Sequence, residues 1–100
     1  MDKLKPSHDL EAFKAAFARH GAPMTATAAR SARNLGLSEA DVISLINGVT
    51  RSDFVKSMTS YGNHRQWQDV YHINDDERVI YLKFTDHMIT EFIVLSFKRK

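Results

Sequence analysis

Apolar residues recur along this chain with two different periods, and the change falls near residue 53. Before it the spacing is helical. Leu10, Phe13 and Phe17 stand at i, i+3 and i+7 with Ala12 and Ala16 beside them, which predicts one amphipathic helix. Ser7 reads as its N-cap and His8 as its first residue. Asp9 and Glu11 lie near the positive end of its dipole, and Gly21 is its stop. Thr25 or Thr27 opens a second, alanine-rich helix that ends at Gly36. Ser38-Glu39-Ala40-Asp41 reads as a capping box with Asp in the Glu position, and Val42, Leu45, Ile46 and Val49 form the stripe of a third helix to about Gly48.

From Asp53 the period becomes two. Phe54–Ser60, Trp67–Ile73, Val79–Thr85 and Ile89–Phe97 read as strands, with turns at Asn74-Asp75-Asp76-Glu77 and around Asp86-His87. Short connections favour antiparallel pairing, so a four-stranded meander is expected. The only prolines, Pro6 and Pro23, lie clear of every strand. Alternation predicts that Ile80, Leu82, Phe84, Ile93, Leu95 and Phe97 meet the helices, while Tyr81, Lys83, Ser96 and Lys98 point outward. Lys56 shares parity with Phe54 and Met58, and Gln68 with Val70 and His72, so parity leaves the side of those two open. The pattern is that of an α+β fold, with short N-terminal helices on one face of an antiparallel sheet.

Composition narrows the class. One hundred residues, 43% hydrophobic and 26% charged, suffice for one compact domain over residues 1–100. The absence of cysteine excludes disulfides, thiolate metal sites and a cysteine nucleophile. No apolar run nears the ~20 residues that span a bilayer, and MDKLKPSHDLEAF holds no leader-like apolar core. The expected compartment is therefore the cytoplasm, without membrane association. Net charge is +2 and unblocked along the chain, which permits nucleic acid without arguing for it.

An outer face bearing Lys98, Tyr81 and, if they reach it, Lys56 and Gln68 suits a phosphodiester. Lysines neutralise phosphate oxygens, while tyrosine and glutamine supply directional hydrogen bonds. Trp67, Tyr61 or Tyr71, if exposed, could stack on unpaired bases. The plainer alternative is that lysines and tyrosines decorate the solvated face of any antiparallel sheet. His64, in the loop between the first two strands, could titrate near neutral pH, although a lone loop histidine is more often simply solvated. No histidine pair has helical metal-ligand spacing with a carboxylate, so no metal site and no cofactor are expected. Asp75, Asp76 and Glu77 read as an acidic turn.

One stretch goes beyond pattern. SDFVKSMTSYGNHRQWQDVY resembles the central signature of the MqsR family of bacterial toxins, DF-x-KSMT-x-Y-x-x-H-x-x-WQDVY. VIYLKF and VLSFKRK are similar to that family's YLK and VSFK segments, and LGLS after the second helix fits as well. TDHMITEF is longer than the family's usual last turn, which bears on local register. The resemblance spans essentially the whole chain. It implies a RelE-like α+β ribonuclease fold and the toxin half of a type II toxin–antitoxin pair. The activity implied is an endoribonuclease, or mRNA interferase, that cleaves messenger RNA at short GC-containing sites such as GCU. A separate antitoxin with a zinc-binding domain is the implied partner.

Carried over position by position, the family's functional residues fall on Lys56 in DF-x-K, Gln68 in WQD, Tyr81 in YLK and Lys98 in SFK. The resemblance thus implies that Lys56 and Gln68 reach the face that alternation assigns to Tyr81 and Lys98. The implied mechanism is metal-free attack of the RNA 2′-OH on the adjacent phosphorus. Tyr61, His64 and Trp67 are secondary candidates for contacting RNA. The rival reading from another class is a non-catalytic module that binds RNA or protein through the same sheet face.

Overall fold

The computed structural model describes residues 1–100. Three helices, α1 (Leu10–Arg19), α2 (Ala26–Asn34) and α3 (Glu39–Asn47), precede a 3₁₀ turn at Arg51–Asp53. A sheet of five antiparallel strands in the order β1-β2-β3-β4-β5 takes up most of the rest. Its members are β1 (Asp2–Lys3), β2 (Phe54–Ser60), β3 (Asn63–Asp75), β4 (Arg78–His87) and β5 (Glu91–Arg99). The fold is α+β, with the helices on one face of the sheet. No helix is long and apolar enough to cross a membrane.

The helix ends follow from local chemistry, with one correction. Thr25 caps α2, and Ser38 with Asp41 forms the full reciprocal capping box of α3. Gly36, with φ +79°, takes the left-handed conformation that ends α2 cheaply. The cap of α1, however, is Asp9, whose carboxylate accepts the Ala12 N–H, and not Ser7. Ser7 is drawn elsewhere. Its N–H and that of His8 donate to the buried Asp69 carboxylate at 2.9–3.1 Å, and its hydroxyl meets that of Ser57 at 2.6 Å. Those bonds hold residues 7 and 8 against β2 and β3, so the helix starts two residues later.

The core lies between helices and sheet. Phe13 and Phe17 of α1, Ala28 and Ala32 of α2, and Val42 and Ile46 of α3 meet Tyr71, Ile73, Ile80, Leu82, Phe84, Val94 and Phe97. Phe13 stacks face to face on Phe84, and Phe92 meets both rings edge-on. Ile80, Leu82 and Phe84 face the helices, as their alternation predicts.

The last strand departs from simple alternation. Lys83 pairs with Ser96 but Phe84 pairs with Val94, so Leu95 is an extra residue in a β-bulge. Beyond it the faces exchange: Val94 is fully buried and Phe92 packs on the core, while Ile93 and Leu95 leave it. The loop before α2 secures the distortion. Thr25 N–H donates to the Val94 carbonyl, Val94 N–H donates to that of Pro23, and the Thr25 hydroxyl donates to that of Leu95. The expectation that Ile93 and Leu95 face the helices fails for this reason.

The meander also has more sheet than expected. β1 pairs antiparallel with β2 and covers its edge, a strand too short for any periodicity to reveal. The final hairpin runs to His87 before turning through Met88–Thr90, so Ile89 lies in the turn and β5 begins at Glu91. Glu91 has a φ of +68° and bonds to Arg19 and His20 at the end of α1, which fixes that strained position.

Candidate functional site

The face of the sheet turned away from the helices is built by register. Phe54 pairs with Tyr71 but Lys56 pairs with Val70, so Val55 is bulged. Phe54 can then lie edge-on against the Tyr71 ring in the core while Lys56, two residues on, points outward. Reading across the sheet, Lys56, Val70, Lys83 and Ser96 form one row over β2, β3, β4 and β5. His72, Tyr81 and Lys98 form the next row on one side, and Asp2, Met58 and Gln68 the next on the other. The structure therefore brings Lys56, Gln68, Tyr81 and Lys98 to one face.

Geometry within the patch is specific. Lys98 Nζ lies 5.7 Å from the centre of the Tyr81 ring, and the His72 ring is 6.0 Å from it on the other side. Gln68 is nearly buried, whereas Lys98 is exposed. Val70 is wholly buried although it belongs to this outer row, because the side chains around it cover it. It gives the cations a dry floor, where an anionic ligand's field is screened less than in water. β1 brings the Asp2 carboxylate 3.5 Å from Lys56 Nζ.

Two groups of this face titrate away from their ordinary values. Burial, and after it the ammonium groups of Lys98 and Lys56, hold Lys83 below the usual lysine range. Burial, and after it the charge of Lys100, holds His72 below the usual histidine range. Both shifts run in the direction that disfavours a further cation there.

The aromatic and loop candidates lie elsewhere. Tyr71 is fully buried in the core, its hydroxyl without a partner and pushed up to about 12, mainly by burial, so no base can stack on it. Trp67 pairs with Thr59 and shares the helix side with Asp69, under Lys3 Nζ at 4.1 Å. Tyr61 is fully exposed and His64 is exposed, at and just after the β2–β3 turn. Sequence alone did not single out Lys83, His72 or Asp2 as members of the patch. The outward parity of Lys83 was the available signal for it, and for Asp2 there was none. No group of three or more His, Asp or Glu side chains is spaced to hold a metal ion.

Comparison with known proteins concerns the chain as a whole. A family model described as "Motility quorum-sensing regulator, toxin of MqsA" matches residues 5–99. The chain is also 36% identical over 100 residues to the mRNA interferase toxin MqsR of Escherichia coli (strain K12), covering the whole of both chains.

Proposed function

The chain belongs to the family of motility quorum-sensing regulator toxins, and from that membership and the layout of the outer face we propose that it is an mRNA interferase, the toxin of a toxin–antitoxin pair. The observation that carries this reading is the convergence of Lys56, Gln68, Tyr81 and Lys98, scattered over 43 positions of sequence, on one face opposite the helices. A sheet needs none of these residues there for stability. A phosphodiester needs cations and directional donors together.

The reaction is transphosphorylation without a metal ion. The 2′-oxygen gives up its proton to water and forms a bond to phosphorus, the bond from phosphorus to the 5′-oxygen breaks, and that oxygen takes a proton from water, leaving a 2′,3′-cyclic phosphate and a 5′-hydroxyl. Lys56 and Lys98 stabilise the charge that builds on the nonbridging oxygens, which is the largest service a fixed site offers such a step. The hydroxyl of Tyr81, whose ring lies beside Lys98, hydrogen-bonds the phosphate, and the buried Gln68 amide fixes the backbone. Cleavage falls at short GC-containing sequences such as GCU. A cognate antitoxin with a zinc-binding domain restrains the activity, because unrestrained messenger RNA cleavage arrests growth.

The test is single-turnover cleavage of a short RNA carrying GCU by the parent, Lys98→Ala and Tyr81→Phe. The proposal requires cleavage by the parent and large losses in both variants. Retention of intact RNA by the parent would favour a binding module instead.

A further inference from the structure

We propose that Lys83 is a further catalytic residue of this site, its ammonium contacting the scissile phosphate between Lys56 and Lys98. The inference rests on the ribonuclease reading above and deepens it. Strands in a sheet lie about 4.8 Å apart, so the backbones that carry Lys56 on β2 and Lys98 on β5 are separated by roughly 14 Å. One phosphate is much smaller than that span. Lys83 stands on β4, in the row of Lys56 and diagonal to Lys98, with Tyr81 two residues away on the same face. It is the cation that stands between Lys56, two strands away across Val70, and Lys98 on the neighbouring strand.

Its electrostatic setting is that of an anion site. The ion pairs of the chain engage Glu11, Glu91, Asp2 and Asp75, and none includes Lys83 or Lys98. The groups that face Lys83 are Lys56 on β2, His72 on β3, Tyr81 on its own strand and Lys98 on β5. In the row of Lys56 and the rows on either side of it the one carboxylate is Asp2 on β1, which Lys56 engages. Lys83 is half-buried over the dry floor of Val70, so its charge is neither well hydrated nor paired. A merely structural lysine would snorkel toward water or meet an acid. Held between two like charges, it gains most from an incoming phosphodiester. No proton moves to or from Lys83 in the step. The 2′-oxygen still displaces the 5′-oxygen, and Lys83 bears part of the negative charge that collects on phosphorus's free oxygens.

Lys83→Met keeps the stem and removes the charge, while Lys83→Arg keeps the charge. Three readouts decide: single-turnover cleavage of a GCU-containing RNA, melting temperature, and salt dependence of binding to that RNA carrying a 2′-O-methyl at the cleaved nucleotide. Lys83→Met should cleave on the order of 10²-fold more slowly. Its log Kd against log salt should lose about 0.7 in slope, the share of one phosphate contact on a single strand. It should melt at or above the parental temperature, because a crowded cation has gone. Lys83→Arg should bind with the parental slope and recover most of the lost rate. Cleavage by Lys83→Met within threefold of parent, with an unchanged slope, overturns the inference. So does a lowered melting temperature in Lys83→Met with no rescue by arginine, which would mark a packing role. Lys98→Ala, run alongside, separates the two levels: if it slows and Lys83→Met does not, only Lys83 is misassigned. A parent that cleaves no RNA removes the reading beneath both.

Discussion

Asp69 offers a quantitative test of how the N-terminal segment is held, and through it of how β1 reaches the site. Its carboxylate is fully buried and accepts Ser7 N–H on both oxygens, at 3.0 and 3.1 Å, and His8 N–H at 2.9 Å. Asp69→Ala strips two backbone donors of their acceptor. Hydrogen bonds to a charged group are worth about 1.5–3 kcal/mol each, which bounds the loss at about 3–6 kcal/mol. Ser7 and His8 are only half-buried, so water can partly replace the carboxylate. The expected loss is therefore about 2–4 kcal/mol. Asp69→Asn keeps one accepting oxygen and turns an amide donor toward the other N–H, so it should recover only part of this. Urea unfolding gives the magnitude. Hydrogen exchange gives the locality, because Thr59 N–H, which donates to the Met1 carbonyl, should exchange faster while amides in the middle of β4 do not. Stability of Asp69→Ala within 0.5 kcal/mol of parent, or uniform acceleration of exchange, would refute the clamp.

Phe97→Ala, in the core, should cost about 3–5 kcal/mol, whereas Leu95→Ala, in the bulge, should cost clearly less, and paired denaturant titrations compare them. Lys98→Ala and Tyr81→Phe should melt near the parental temperature, as outward substitutions usually shift stability by no more than ~0.5 kcal/mol, yet cleave RNA on the order of 10²-fold more slowly. His72 binds its proton less readily folded than unfolded, so between its lowered value and about 6.5 the unfolded chain holds more protons. Stability should thus fall as pH drops through that window, and the difference between pH 7 and pH 5 melting temperatures should shrink in His72→Gln.

Much of this fold is legible in the sequence where local chemistry acts alone. The capping box at Ser38 and Asp41, the stop at Gly36 and the inward alternation of β4 need no tertiary information. Alternation misleads where a bulge intervenes, because one inserted residue exchanges every face beyond it. Leu95 does this to Ile93, and Val55 does it to Phe54 and Lys56. The bulge at Leu95 is held by Thr25, seventy residues away, and so has no local signature. Ser7 reads locally as the cap of the first helix, but Asp69, sixty-two residues away, takes its N–H, and Asp9 caps instead. The signature WQDVY carries three kinds of residue that composition cannot distinguish. Gln68 belongs to the outer face, Asp69 is a buried clamp and Tyr71 is core. Parity placed Tyr81, Lys83 and Lys98 together outward, and the family signature supplied Lys56 and Gln68, whose side only the register of β2 and β3 makes physical.

The reaction proposed for the outer face is internal attack of the RNA 2′-hydroxyl on phosphorus. Mass spectrometry of RNA ends, after incubation with the purified chain in excess EDTA, tests it most directly. New fragments ending in 2′,3′-cyclic phosphate with 5′-hydroxyl partners are expected, absent with Lys98→Ala. Intact RNA in EDTA with cleavage restored by a divalent ion, or fragments bearing 5′-phosphates, would contradict it.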